Sequence, residues 1–105
     1  MPEADDLKYL RDTLHVMSGK WKLPIMLALS QGNLRFNQIK KYIPGITSRT
    51  LTRELRELEM NKIIIRKPHP EGFVGMEYEV TDYCRSFDPV ISSMIEWGKR
   101  HRQVI

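Results

Sequence analysis

Cysteine is almost missing from the sequence: Cys84 is the one thiol among 105 residues. A lone thiol closes no internal disulfide, so the fold has to stand on its core, and the reducing cytoplasm is the expected compartment. No apolar run approaches the roughly 20 residues that span a bilayer. The opening Met1-Pro2-Glu3-Ala4-Asp5-Asp6 lacks the basic-then-apolar order of a signal peptide. Internal repeats, low-complexity tracts and linkers are absent. His15, His69 and His101 have no metal-ligand spacing among themselves or with Cys84, so no metal and no other cofactor is expected. No Ser/His/Asp set, glycine-rich phosphate loop or paired carboxylates stands out, and an enzyme is not expected. Charged residues at 29% and apolar residues at 41% exclude a disordered chain. A length of 105 predicts a single domain over residues 1–105.

What the sequence does hold is an uneven charge. Residues 35–70 carry nine Lys/Arg against three acids, a local balance of +6, whereas the remainder balances at −2. The net +4 is therefore a focused field, of the sign that attracts phosphate.

Hydrophobic spacing predicts the elements beneath that field. Leu7, Leu10, Leu14 and Met17 mark one face of a helix over about 6–17, ended by Ser18-Gly19. Pro24 is tolerated only in a first turn, so a second helix should begin near Trp21, with Trp21, Ile25, Ala28 and Leu29 inward. Leu34 is expected to form a short strand beside a hairpin. Phe36–Ile43 reads as a short helix with Phe36, Ile39 and Ile43 inward, broken by Pro44-Gly45. Thr47 or Ser48 caps the next helix, which runs to about Met60. Its Leu51, Leu55 and Leu58 form a buried stripe, opposite a stripe of Arg49, Thr52, Arg53 and Arg56.

Two β-rich runs follow, Ile63–Lys67 and Met76–Val80, around a polar loop of roughly 68–75. Thr81 caps a C-terminal helix over about 82–102, where Pro89 predicts a kink or a restart with Asp88 as cap. Helix, turn, helix, hairpin is the order of a winged helix-turn-helix. The fold expected is α+β, mostly α: a helix-turn-helix over about 35–60, a wing over about 62–80, and extra N- and C-terminal dimerisation helices.

The DNA-facing candidates follow from that layout. Thr47, Ser48, Arg49, Thr50, Thr52 and Arg53 lie at the end of the recognition helix that reaches bases. Arginine can hold guanine O6/N7 with both prongs, and threonine offers a hydroxyl or a methyl. Arg56, a turn further on, either reaches phosphate or pairs with Glu57 or Glu59. Arg35 and Asn37 sit where the first helix crosses the backbone, and Lys67 and His69 flank the wing tip. The apolar stripe of the last helix is too wide for so small a core. Val90, Ile91, Met94, Ile95 and Trp97, with Leu7, Leu10 and Leu14 of the first helix, are the expected dimer interface.

The quoted residues resemble one family. Ser18-Gly19-Lys20-Trp21-Lys22 matches its "GGKW", Leu34-Arg35-Phe36-Asn37-Gln38-Ile39 its "RFxEL", and Gly45 to Glu59 its recognition helix. Glu77-Tyr78-Glu79-Val80-Thr81 matches "VEYxLT" and Trp97-Gly98-Lys99-Arg100-His101 the closing "WG..H". Over about residues 8 to 102 the chain is similar to the HxlR-type family of prokaryotic winged-helix transcriptional regulators. The resemblance implies a homodimer built on the first and last helices, with a recognition helix in each half of a near-palindromic operator.

Partners are thus double-stranded DNA and a second copy, with no membrane; an inducing small molecule is left open. Members that sense oxidants carry a Cys-Pro pair that would fall near Lys8-Tyr9, where this chain has no thiol. Cys84 stands where the family usually has Gly in "LTxxG". The competing reading is a winged-helix protein- or RNA-interaction module without operator binding. That role has no need of arginines at the head of the recognition helix.

Overall fold

A computed structural model describes residues 3–68 and 75–105. The elements run α1 (Ala4–Met17), α2 (Lys22–Ser30), β1 (Leu34–Arg35), α3 (Phe36–Tyr42), α4 (Ser48–Met60), β2 (Ile64–Pro68), β3 (Met76–Val80), α5 (Asp82–Arg85) and α6 (Asp88–Val104). The architecture is α+β and mostly helical, a winged helix-turn-helix with a helix added at each end. The wing tip, including His69, lies outside the described residues.

The strands form an antiparallel sheet of order β1-β3-β2, with Leu34 opposite Tyr78 and Arg66 on the far side of the same residue. Alternation along β3 sends Tyr78 and Val80 into the core, where they join Ile25 and Leu29 of α2, Ile39 of α3, and Leu51, Leu55 and Leu58 of α4. These aliphatic stripes are the main favourable term of folding. They meet on one side only of the α3–α4 unit, which leaves the opposite face of α4 in solvent.

Chain turns are set by local chemistry. Gly45, at φ +85°, makes the turn before α4 in a conformation L side chains rarely adopt. Thr47 caps α4, its Oγ1 accepting the Thr50 amide at 3.1 Å. The C-terminus of α4 closes with the Ile63 amide on the Leu58 carbonyl and the Lys62 amide on the Glu59 carbonyl, both at 3.0 Å. That is a Schellman closure, with Lys62 at the left-handed position.

Two boundaries differ from expectation. α1 begins at Ala4, two residues early, because Asp6 Oδ2 accepts the Glu3 amide at 2.7 Å and extends the helix start. Of the kink and the restart expected at Pro89, the restart is what forms, and the C-terminal segment is two helices. α5 is capped by Thr81, and the chain restarts as α6 with Pro89 in the first turn, where a missing N–H breaks no hydrogen bond. Phe87, not Asp88, occupies the cap position. No described helix is long and apolar enough to cross a membrane.

Candidate nucleic-acid interface

The solvent face of α4 carries the expected stripe. Ser48, Arg49, Arg53 and Arg56 are exposed and Thr52 is half-buried, and all five line one open groove along the helix together with Glu57. The reason is the 3.6-residue period: with Leu51, Leu55 and Leu58 pinned inward, positions 49, 52, 53 and 56 must point out. The hydroxyls at the head of the helix are partly committed. Thr47 Oγ1 serves as cap and also donates to Thr50 Oγ1 at 3.0 Å, and the Thr52 hydroxyl donates to the Ser48 carbonyl at 2.8 Å. Thr47 and Thr50 therefore shape the helix start, whereas Ser48, Arg49 and Arg53 stand outward.

The acids of α4 are drawn to other elements. Lys22 of α2 is buried, and its Nζ lies 2.6 Å from Glu54 Oε2 and 2.6 Å from Glu57 Oε2. Glu59 lies 3.8 Å from Arg66 Nε of β2. Arg56 lines the groove beside Glu57. Glu54 is buried rather than on a solvated flank, and its Oε1 lies 3.8 Å from an exposed Arg53.

Burial by itself pushes the Lys22 ammonium towards neutrality. Hydrogen bonds to Glu54 and Glu57, and their charge, outweigh burial and hold its pKa above the ordinary lysine value. The hydrogen bond from Lys22, with its charge, holds Glu57 below the usual carboxylate range.

Arg35 and Asn37 line a second, separate cleft with Phe36, Gln38, Gly75 and Met76, where α3 meets the base of the wing. The Gln38 side chain fixes this helix start by accepting the Arg35 amide at 2.8 Å. Arg35 and Lys67 stand opposite Glu77 from either side of β3, so the three share one face of the sheet. Lys67 Nζ is 2.6 Å from Glu79 Oε2, a hydrogen bond that raises its pKa. Glu77 is buried and accepts from Asn33 Nδ2 at 3.2 Å. The wing root thus carries basic groups held against acids.

Neither α1 nor α6 has a buried residue. Leu7, Leu10, Leu14, Val90, Met94, Ile95 and Trp97 are all exposed, and Ile91 is half-buried. Ile91, Met94 and Ile95 line an apolar cleft of about 440 Å³ with Leu23, Leu27 and Tyr42, open to solvent. Cys84 is buried, and burial, with the charge of Asp88, pushes its thiol pKa up. Among the described residues no group of three or more His, Cys, Asp or Glu is placed to hold a metal ion.

The sequence reading missed Lys22, Glu54 and Glu77. The first two were visible as charges on apolar stripes: Lys22 precedes Ile25, Met26 and Leu29 at i+3, i+4 and i+7, and Glu54 interrupts Leu51, Leu55 and Leu58. A buried charge demands a partner, and which one it finds depends on how α2 packs against α4.

Known proteins share this chain's pattern. A family model for HxlR-like helix-turn-helix proteins matches residues 16–105. An uncharacterized HTH-type transcriptional regulator of Bacillus subtilis, YybR, is 38% identical over 93 residues, spanning 89% of this chain and 74% of that one. An uncharacterized HTH-type transcriptional regulator of Methanothermobacter thermautotrophicus is 42% identical over 85 residues, 81% of this chain and 65% of its own length. The solved structure of the redox regulator HypR in its reduced form superposes with a TM-score of 0.84 at 36% identity, covering 91% of this chain and 95% of that one.

Proposed function

The chain belongs to the HxlR-like helix-turn-helix family of transcriptional regulators, and on that premise we propose that it binds DNA as a homodimer, setting the head of α4 into the major groove of each half of a near-palindromic operator. One observation carries the reading. Arg49, Arg53 and Arg56 share an open groove with one acid, Glu57, whose charge is paired with Lys22, while Glu54 and Glu59 pair with Lys22 and Arg66. Such a face carries three guanidinium groups against one carboxylate already paired with Lys22, so it attracts phosphate and can aim guanidinium prongs at base edges. Ser48, Arg49, Thr52 and Arg53 are the base-reading set. Thr47 and Thr50 hold the helix start, Arg35 and Asn37 meet the backbone beside it, and Lys67 supplies a wing contact; His69 is assigned to the same wing.

The second copy joins through α1 and α6. The Cα radius of gyration, 15.5 Å, exceeds the roughly 13 Å of a compact domain of this length. The excess reflects two helices most of whose apolar residues lie exposed in one chain. Twofold pairing buries them and sets half-site centres about 34–36 Å apart, or a multiple of that. The domain is one unit over residues 1–105, working where the DNA is, in the cytoplasm.

HypR is a redox regulator by its title. This chain has one cysteine, buried and with its pKa raised, and no thiol in the first helix. We therefore assign it a signal other than thiol oxidation.

The test is fluorescence anisotropy with a duplex from the chain's own upstream region, over a salt series, against scrambled duplex and single-stranded RNA. Affinity should fall with salt at a log–log slope of about −0.9 per phosphate contact, and the upstream duplex should be preferred. Equal competition by RNA points instead to the interaction-module reading.

A further inference from the structure

We propose that Lys22 is a positioning residue for DNA reading: from the buried side of α4 it pairs with the carboxylates of Glu54 and Glu57, offsets the charge that Glu57 brings to the groove, and so leaves Arg53 and Arg56 for DNA. The inference rests on the DNA-binding reading above.

Its basis is the charge arrangement around α4. One buried ammonium faces two carboxylates on the same helix, each at 2.6 Å. A buried ion pair adds little net stability, so holding the helix together is a weak reason for a lysine there. The second carboxylate is a weaker reason still, because the Glu57 side chain is 46% exposed and can be hydrated without a partner. What the arrangement does change is which groups the arginines see. Glu57 lies one helical turn beyond Arg53, at the spacing of a helix ion pair, and already feels its charge. Glu54 Oε1 is 3.8 Å from Arg53. Without the ammonium, Arg53 is a cation that both carboxylates already feel, at 3.8 Å from Glu54 and through its charge on Glu57. An arginine pulled onto Glu57 is lost to phosphate or base, and Glu57 itself stands beside the groove as an uncompensated negative charge.

The experiment selects a duplex from a random pool with the intact protein. Binding to that duplex is then measured for Lys22→Met, Glu57→Gln and the double variant, alongside thermal melts. Lys22→Met should bind about tenfold more weakly, with a salt slope smaller by about one. Adding Glu57→Gln should restore most of that loss while leaving the melting temperature of Lys22→Met unimproved. A merely structural lysine moves affinity only with folded fraction, so a double variant no tighter than Lys22→Met overturns the proposal.

Glu57→Gln alone covers the case in which Lys22→Met does not fold. A gain below about threefold agrees with a masked carboxylate, and a gain near tenfold shows that it was never masked. Failure to select any sequence with the intact protein defeats the DNA-binding reading itself, before any variant is compared.

Discussion

Lys22 Nζ and Glu54 Oε2 stand 2.6 Å apart across the α2–α4 contact, in a region otherwise made of Ile, Leu and Met. The pair joins the end of the "GGKW"-like segment to the middle of the proposed recognition helix. Removing one partner leaves a buried charge. Lys22→Met should therefore cost roughly 3–5 kcal/mol, whereas Lys22→Met with Glu54→Leu should recover most of it. Urea unfolding of the two variants checks this. Equal losses in both would mean that the pair is not what couples these helices.

The same cluster gives stability a pH dependence at both ends. Lys22 has a raised pKa, so its contribution is complete below the ordinary lysine value near 10.5 and is lost as pH rises through its folded value. Glu57 has a lowered pKa, so its contribution is complete above about 4.5 and is lost as pH falls through its folded value. Melting temperatures should drop beyond each limit, and the alkaline drop should be shallower in the Lys22→Met/Glu54→Leu variant.

Lys62 holds φ at +62° at the end of α4, where glycine is the usual residue. A left-handed L residue costs roughly 1–2 kcal/mol, and the extra unfolded-state freedom of glycine returns roughly 0.4–1 kcal/mol of that. Lys62→Gly should be stabilised by about 0.5–1 kcal/mol, read as a rise in melting temperature. A fall would show that the lysine side chain makes a contact worth more than the strain.

Burial and a raised pKa make Cys84 a poor nucleophile. Cys84→Ala should leave DNA affinity within about twofold, and diamide should release neither protein from DNA. Release of the wild type alone would make Cys84 a sensor. Ellman's reagent should react with the native thiol no faster than the chain opens.

Exposed Met94 and Ile95 are placed at the proposed seam between copies. Sedimentation at micromolar concentration should show a dimer for the wild type and a monomer for Ile95→Glu, whose melting temperature should be lower and should not depend on protein concentration as that of the wild type does. A monomeric wild type that still binds a palindrome as one unit would remove the dimer from the account.

Legibility in the sequence followed the strength of the period. α4 was readable because leucines and arginines sort onto opposite faces and Thr47 offers a cap. β3 was readable because Tyr78 and Val80 alternate with Glu77 and Glu79. The α5–α6 break was harder: Pro89 allowed a kink or a restart, and the choice depends on Thr81 capping a separate four-residue turn. Least legible were Lys22 and Glu54, since a lone charge on an apolar stripe names no partner, and their meeting depends on how α2 packs against α4. The pairing of Lys67 with Glu79 likewise depends on hairpin register.

The most direct measurement is Arg49→Ala binding to the duplex selected by the wild type and to a scrambled duplex, over a salt series. Arg49 stands in the first turn of α4, exposed in the groove. The substitution should cost roughly 1–3 kcal/mol on the selected duplex and relax preference at one base pair of each half-site, with a much smaller loss on the scrambled one. Equal weakening on both duplexes, or none on either, would contradict the account, because α4 would then not be the element that reads sequence.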